Sequence, residues 1–282
     1  MAIYFEEAKS VEAVTSRLAC ADPRFERIMT ALVRHVHGFV KEVEPTMDEW
    51  FQAIQFLTNT GQMCDDKRQE WILLSDTLGV SMLVDSINHR RPGRATENTV
   101  LGPFHVANAP RRSMGDSICL DGKGDPCFIS GQVTDEDGHP LAGALIDVWQ
   151  TNDDGFYNVQ QPAVQPDFNM RGIFETGPDG KYWFQTTKPL PYSIPDDGPV
   201  GVMLKKSGRH AMRPAHTHFI FERPGYERLV THIFVRGGEY LDSDAVFGVK
   251  EELIADFTRD SDGRAWRCSF DICLKKCEGG GA

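Results

Sequence analysis

The sequence predicts a mixed α and β protein, with an N-terminal helical region over residues 1–95 followed by a β-sandwich over 96–282. Three observations carry this expectation. Across residues 23–43 apolar side chains recur at intervals of three and four, the period of one helix face. From about residue 90 onward Gly and Pro punctuate the chain, and short apolar runs alternate with turn dipeptides. At 282 residues, 40% hydrophobic and 25% charged, the chain has the size and composition of one large globular domain or two small ones.

The helical elements come first. Phe25, Ile28, Met29, Leu32, Val33, Val36, Phe39, Val40 and Val43 form an apolar stripe. Pro45 follows, and Thr46 with Glu49 fits a capping box that opens a second helix through Trp50, Ile54, Phe56 and Leu57 toward Met63. A third helix is expected from Asp65-Asp66 through Trp71, Leu74 and Leu78, continuing past Gly79 to Ile87. These helices carry more apolar surface than one small bundle needs. They either pack on the sandwich and on each other or form a subunit interface, and the stripe alone does not choose.

The strands are expected at Cys127–Val133, Ala144–Trp149, Tyr182–Thr186, Val200–Lys205, His216–Phe221, Leu229–Val235 and Trp266–Cys273. Asp137-Gly138, Asp154-Gly155, Asp179-Gly180, Pro224-Gly225 and Asp262-Gly263 mark turns between them. Many short strands of this kind predict a sandwich.

Composition narrows the function. Thirty Lys and Arg against 41 Asp and Glu give a net charge of −11, which repels polyphosphate, and the short basic runs at 90–94 and 111–112 are scattered. No nucleic-acid partner is expected. No apolar run approaches the ~18 residues of a membrane span, and the start lacks the basic and apolar regions of a secretory signal. A cytoplasmic protein is expected. The seven cysteines form no CxxC pair, which points to free thiols rather than a disulfide framework or zinc knuckle. No GxGxxG fingerprint is present, so no NAD(P)H or flavin is expected.

The densest chemical stretch is Arg213-Pro214-Ala215-His216-Thr217-His218-Phe219. Residues two apart on a strand share a face, so His216 and His218 could reach one metal ion. A lone H-x-H pair is more often structural. Arg213 beside it suggests an anionic ligand or substrate. Tyr157 and Tyr192 each sit in a loop after a strand and, taken alone, are ordinary loop aromatics. As phenolates they are hard anionic donors, and with two imidazoles they would favour Fe(III) over Fe(II) or Zn(II).

Residues 129–157, ISGQVTDEDGHPLAGALIDVWQTNDDGFY, resemble the signature of the intradiol ring-cleaving dioxygenases. PLPYSIPDDGPVG and RPAHTHF follow in that family's order, and the resemblance spans essentially the whole chain. LLSDTLG (73–79), TVLGPFHV (99–106), NDDGFYNVQQP (152–162) and VTHIFVRGGEYLDSDAVFGVK (230–250) are similar to the hydroxyquinol-type members.

This resemblance implies one non-haem Fe(III) per subunit, held by Tyr157, Tyr192, His216 and His218. Tyr192 is the ligand expected to leave the metal and act as a base. Arg213 is the expected catalytic arginine that stabilises negative charge on the substrate. Leu73 and Asp76 on a helix, the run Val100, Leu101, Gly102, Pro103 and Phe104, then Ile194, Pro195 and Val246, are the implied substrate pocket. His232 stands where catechol-specific relatives carry Gln and is expected just outside the ligand shell, with a half-buried strand histidine as the plain alternative. Asp76 would be costly in an apolar pocket without a partner, and a third ring hydroxyl could supply one.

The implied reaction is cleavage of hydroxyquinol (benzene-1,2,4-triol) by O2 to 3-hydroxy-cis,cis-muconate, both oxygen atoms entering the product. Cleavage of catechol or a chlorocatechol is the near alternative. A non-catalytic β-sandwich binding module and an Fe(II) or Zn hydrolase are remote ones. The family also implies a homodimer paired through N-terminal helices, with an apolar tunnel able to enclose a phospholipid.

Overall fold

The computed structural model describes residues 4–66, 68–91 and 93–277. By internal contacts the chain divides into two compact units, residues 1–59 and 60–282.

The first unit is helical. Helix α1 (Ser10–Thr15) packs on α2 (Pro23–Val43). Asp22 caps α2 by accepting the Arg24 N–H at 2.8 Å, and Pro23 occupies the first turn, where its missing N–H costs nothing. The expected stripe is present and lies open to solvent in the single chain, with Phe39 62% exposed. Helix α3 (Met47–Gln62) starts at the expected capping box: Glu49 accepts the Thr46 N–H at 2.8 Å and the Thr46 hydroxyl accepts the Glu49 N–H at 3.2 Å.

In the second unit the expected third helix is two. Helix α4 (Glu70–Thr77) ends at Leu78, and Gly79, with φ +72°, turns the chain into α5 (Val80–Asn88). A left-handed residue terminates a helix, so the apolar pattern running through Gly79 could not stay continuous.

Two sheets follow. The outer one is built on β1 (Pro126–Asp135), and the site sheet begins with β2 (Leu145–Trp149), which pairs with β3 (Arg171–Glu175). Next come β4 (Lys181–Thr187), the two-residue β5 (Tyr192–Ser193), α6 (Pro199–Lys206) and β6 (Met212–Arg213). The chain then forms β7 (His216–Glu222), β8 (Leu229–Val235), β9 (Ile254–Ala255), β10 (Thr258–Arg259), β11 (Trp266–Ser269) and β12 (Ile272–Leu274).

The site sheet runs β3-β2-β7-β8-β9. In the other sheet β4 lies antiparallel to β1, while β11 and β12 run parallel to successive halves of β1. The expected strand 266–273 is broken at Phe270. A Cβ at Gly131 would meet the Phe270 carbonyl oxygen at 1.9 Å, so only glycine fits beneath the break.

The expected strand Val200–Lys205 is α6 instead. Gly198 and Pro199 start it as a helix, and its first turn is anchored by the buried Glu70 carboxylate, which accepts the Val200 N–H at 3.1 Å. A short apolar run fits either period, and here the flanking Gly-Pro decides. Strand β3 was not expected.

The interior between the sheets contains Ile129, Val133, Ile146, Val148, Phe174, Phe184, Phe219, Phe221 and Ile233. The period of two then fixes what faces the other way. On β2, β7 and β8 the residues alternating with this core are Trp149, His216, His218, Ile220, Val230 and His232. Gln150 ties the two sheets: its side-chain oxygen accepts from the Thr186 and Thr217 hydroxyls, both at 3.0 Å, and its amide donates to the Thr187 carbonyl at 3.0 Å.

Among the described residues no helix is long and apolar enough to cross a membrane. All seven cysteines are free thiols.

Candidate active site

The β7–β8 register sets His216 opposite Phe234 and His218 opposite His232, while β2 places Trp149 beside His218. Trp149 stacks on the His218 ring at 4.7 Å between centroids. His216 Nδ1 lies 2.7 Å from the Pro214 carbonyl, which can only accept, so Nδ1 carries the proton and Nε2 presents a lone pair. His216 Nε2 and His218 Nε2 are 3.1 Å apart.

The tyrosines arrive from loops. Tyr157 Oη lies 2.8 Å from His218 Nε2 and 3.1 Å from Tyr192 Oη. Three features hold Tyr157. Gln160 accepts its N–H at 2.9 Å in a capping box that opens a short 3-10 turn. Phe104 stacks on its ring at 4.7 Å. Arg171 lies over the ring at 5.9 Å, fixed by hydrogen bonds to Asn158 Oδ1 (2.6 Å) and the Phe104 carbonyl (2.7 Å). Tyr192 sits on β5, whose two residues pair with β6, Tyr192 opposite Arg213 and Ser193 opposite Met212.

Arg213 closes the cluster from β6. Its Nη1 donates to His216 Nε2 at 3.1 Å and to Tyr192 Oη at 3.5 Å. Its other edge is gripped by Asp244, Nε to Oδ1 at 3.1 Å and Nη2 to Oδ2 at 3.2 Å. Both side chains are almost fully buried. Burial opposes the charge on each, but the pairing overrides it: the Arg213 pKa stands above its ordinary value and the Asp244 carboxyl below.

Electrostatics favours neutral donors in the protein alone. Burial, with Arg213 adding to it, lowers His216 to about 3. Burial and neighbouring positive groups hold His218 and His232 well below the usual imidazole value. Burial pushes the Tyr157 phenol well above its ordinary value, and the neighbouring Tyr192 adds to this. Both ring nitrogens of His232 are buried without a hydrogen-bond partner among the described residues, and its ring lies 4.1 Å from that of His218.

The donor set suits a single small cation. Nitrogen and oxygen donors bonded at about 2.1 Å and at right angles lie about 3 Å apart, and the Tyr157–His218, Tyr157–Tyr192 and His216–His218 donor atoms are 2.8–3.1 Å apart. Neutral imidazoles offer lone pairs, whereas buried phenols give up protons only to a cation of high charge.

Of the implied pocket residues, Phe104 touches this cluster through the Tyr157 ring and Gly102 through the His218 ring. Leu73, Ile194 and Val246 pack in one apolar group. Leu73, Asp76, Pro103, Phe104 and Pro195 line a cavity of about 160 Å³. Asp76 also faces a second cavity, of about 770 Å³, with Val100, Leu101 and Gly102. Gly102, at φ +76°, packs against the His218 ring, which a Cβ there would approach to 3.1 Å. Burial raises the Asp76 carboxyl pKa, against a lowering hydrogen bond from Ser81 and the charge of Arg213.

Asp244, Arg171 and Gly248 were not singled out from the sequence. Asp244 and Gly248 lie inside the quoted run 230–250, but nothing local marks an aspartate there as the partner of an arginine on another strand. Arg171 carries no motif at all.

A family model described as "Dioxygenase" matches residues 100–276, and one described as "Catechol dioxygenase N terminus" matches 22–96. The chain belongs to the intradiol ring-cleavage dioxygenases. It is 59% identical over 262 residues to hydroxyquinol 1,2-dioxygenase of Rhizobium sp. (strain MTP-10005), covering 93% of this chain and 89% of that one. It is 50% identical over 271 residues to 6-chlorohydroxyquinol 1,2-dioxygenase of Cupriavidus pinatubonensis, covering 96% and 98%. The crystal structure of hydroxyquinol 1,2-dioxygenase from Pseudomonas putida DLL-E4 superimposes with a TM-score of 0.92 at 48% identity, covering 96% of this chain and 99% of the other.

Proposed function

We propose that this chain cleaves the ring of benzene-1,2,4-triol between its adjacent hydroxyls, with O2 as co-substrate, giving 3-hydroxy-cis,cis-muconate. The observation that carries the chemistry is the convergence of Tyr157, Tyr192, His216 and His218 with Arg213 on one buried sheet face. The relatives described above, acting on hydroxyquinol or its 6-chloro derivative, support the substrate.

Tyr157, Tyr192, His216 and His218 would hold one Fe(III), which supplies a strong Lewis acid able to chelate a diol and draw electron density from its ring. The chain's own residues do the rest. Tyr192, on the two-residue β5 and within hydrogen-bond reach of Arg213 Nη1 and the Tyr157 hydroxyl, is the phenolate able to accept a proton from an incoming hydroxyl. Arg213 presents Nη1 to the anionic charge that develops on the substrate. Leu73, Ile194 and Val246 exclude water along the apolar side of the ring. Asp76 offers the third hydroxyl an acceptor that catechol cannot use. His232 stands beside the His216 and His218 imidazoles as a neutral group with one N–H to donate.

Catechol or a chlorocatechol is the second reading, favoured by the apolar wall, which suits an unsubstituted ring. The test is visible absorption of the iron-loaded protein under anaerobic titration with the triol and with catechol. A red-brown protein whose band shifts at lower triol than catechol concentration supports the reading. Equal or better response to catechol overturns the substrate, and a colourless iron-loaded protein overturns the paired tyrosinates.

The helical region 1–95 is proposed as the dimer contact of a cytoplasmic protein, on the strength of the open apolar stripe of α2. An enclosed phospholipid rests on the family resemblance, and mass spectrometry of an organic extract tests it.

A further inference from the structure

Arg213 uses its two edges differently. Nε and Nη2 engage Asp244, while Nη1 faces His216 and Tyr192. Asp244 is itself held by the turn that follows it, since Oδ1 accepts the Val246 N–H at 3.3 Å and Oδ2 accepts the Gly248 N–H at 2.9 Å. The carboxylate therefore cannot rotate without losing backbone donors, and a bidentate pair fixes the plane of the guanidinium.

Gly248 completes the arrangement. A Cβ there would lie 2.9 Å from Arg213 Nη2, 3.1 Å from Asp244 Oδ2 and 3.5 Å from Thr99 Oγ1. The residue has no left-handed φ, so space and not backbone conformation demands glycine. Nor can its backbone withdraw easily: its N–H is bound to Asp244, and its carbonyl accepts from the Thr99 hydroxyl at 3.3 Å. A methyl group at 248 would find relief mainly by displacing the guanidinium.

We propose that Asp244 and Gly248 are positioning residues that set which edge of Arg213 faces the substrate. This inference rests on the ring-cleavage reading above. Asp244 fixes the plane of the guanidinium and Gly248 its distance from the turn, so that Nη1 alone is delivered to the reacting ring. The pair acts on developing charge rather than on ground-state binding, so it should govern kcat more than KM.

The experiment is a double-mutant cycle in the iron-loaded enzyme with Gly248→Ala, Arg213→Ala and the double variant, each assayed with the triol and each crystallised. Displacing a catalytic group by about 1 Å costs on the order of 100-fold. Gly248→Ala should lose about that in kcat, with KM within about threefold of wild type, while iron content, Tm and the visible band without substrate stay unchanged. In the Arg213→Ala background the same substitution should change kcat less than about twofold, because its target is gone. Asp244→Asn, read by kcat per iron-loaded folded enzyme because it breaks a buried ion pair, should likewise lose kcat in the wild-type background and change it less than about twofold in Arg213→Ala.

Multiplicative losses in the double variant, or a loss of iron and Tm in step with activity, would overturn the proposal. So would a Gly248→Ala crystal structure with Arg213 Nη1 unmoved. If wild-type enzyme cleaves neither triol nor catechol, the functional reading falls instead, and the crystal structure alone decides whether Gly248 sets the guanidinium.

Discussion

The candidate site has an anchored half and a movable rim, built by different means. In the anchored half, His216, His218 and His232 stand on β7 and β8, where ladder pairing fixes every residue. Tyr157 comes from a loop but is locked by Gln160, Phe104 and Arg171. In the rim, Tyr192 has two residues of strand to hold it, and Asp76 rides on the eight-residue α4. Both tyrosines are buried, so burial does not tell them apart. What differs is the kind of restraint. Tyr157 is held by its own capping box, a stacked ring and Arg171. Tyr192 is held by two residues of strand, the Arg213 guanidinium and ring contacts with Tyr157 and His216. The proposed departure of Tyr192 from a metal ion rests on that difference.

The largest effect should come from removing one donor from each half. Tyr157→Phe should lose bound iron and reduce activity more than ~100-fold, beyond what loss of a mere outer partner of a ligand costs. Tyr192→Phe should retain most of the iron while turnover fails. Metal analysis of both purified variants checks this, and equal iron loss would erase the distinction between the halves.

The anchored half should also show itself in acid, in the metal-free protein. His216 falls from an ordinary 6.5 to about 3 on folding, and His218 and His232 are lowered too. The unfolded chain therefore binds more protons than the folded one across that window, and stability must rise with pH there. Denaturant melts of iron-free protein should weaken steadily as pH falls below about 6.5. A flat profile would mean the imidazoles are not buried neutral.

Arg171→Met tests the lock on Tyr157. It strands Asn158 Oδ1 and the Phe104 carbonyl without their donor. Burial of unsatisfied groups should cost about 2–4 kcal/mol in a urea melt. The rim responds differently: Asp76→Asn should leave iron content intact but raise KM for the triol about tenfold relative to catechol, the equivalent of one charged hydrogen bond. The smallest effect is expected from Gln160→Ala, which removes one half of the capping box for about 1 kcal/mol. A melt and a small shift of the visible band would detect it.

Much of this was legible in the chain. The period of two on 216–221 placed His216 and His218 on one face, His232 came through the resemblance, and the capping box at Thr46 and Glu49 is where it was expected. Boundaries set by tertiary contact were not legible. Residues 200–205 read as a strand because a short apolar run carries no period of its own, and Glu70, far away in sequence, is what anchors the helix start. Arg171 and Asp244 escaped for the same reason: each matters through a partner that no local pattern indicates. The four proposed donors were named through a resemblance whose motifs are contiguous, while the residues that touch them are dispersed.

The stretch from Arg213 to His218 has a further consequence for how this chain could have changed over time. Within six consecutive positions it carries the guanidinium, the carbonyl that sets a ring tautomer, and two imidazoles. Adding or deleting one residue there would turn both imidazoles into the hydrophobic interior and bring Thr217 and Phe219 out. Descendants can therefore alter the side chains around this segment one at a time, but its length is not open to gradual variation. Novelty in substrate choice has to enter through the helices and loops opposite.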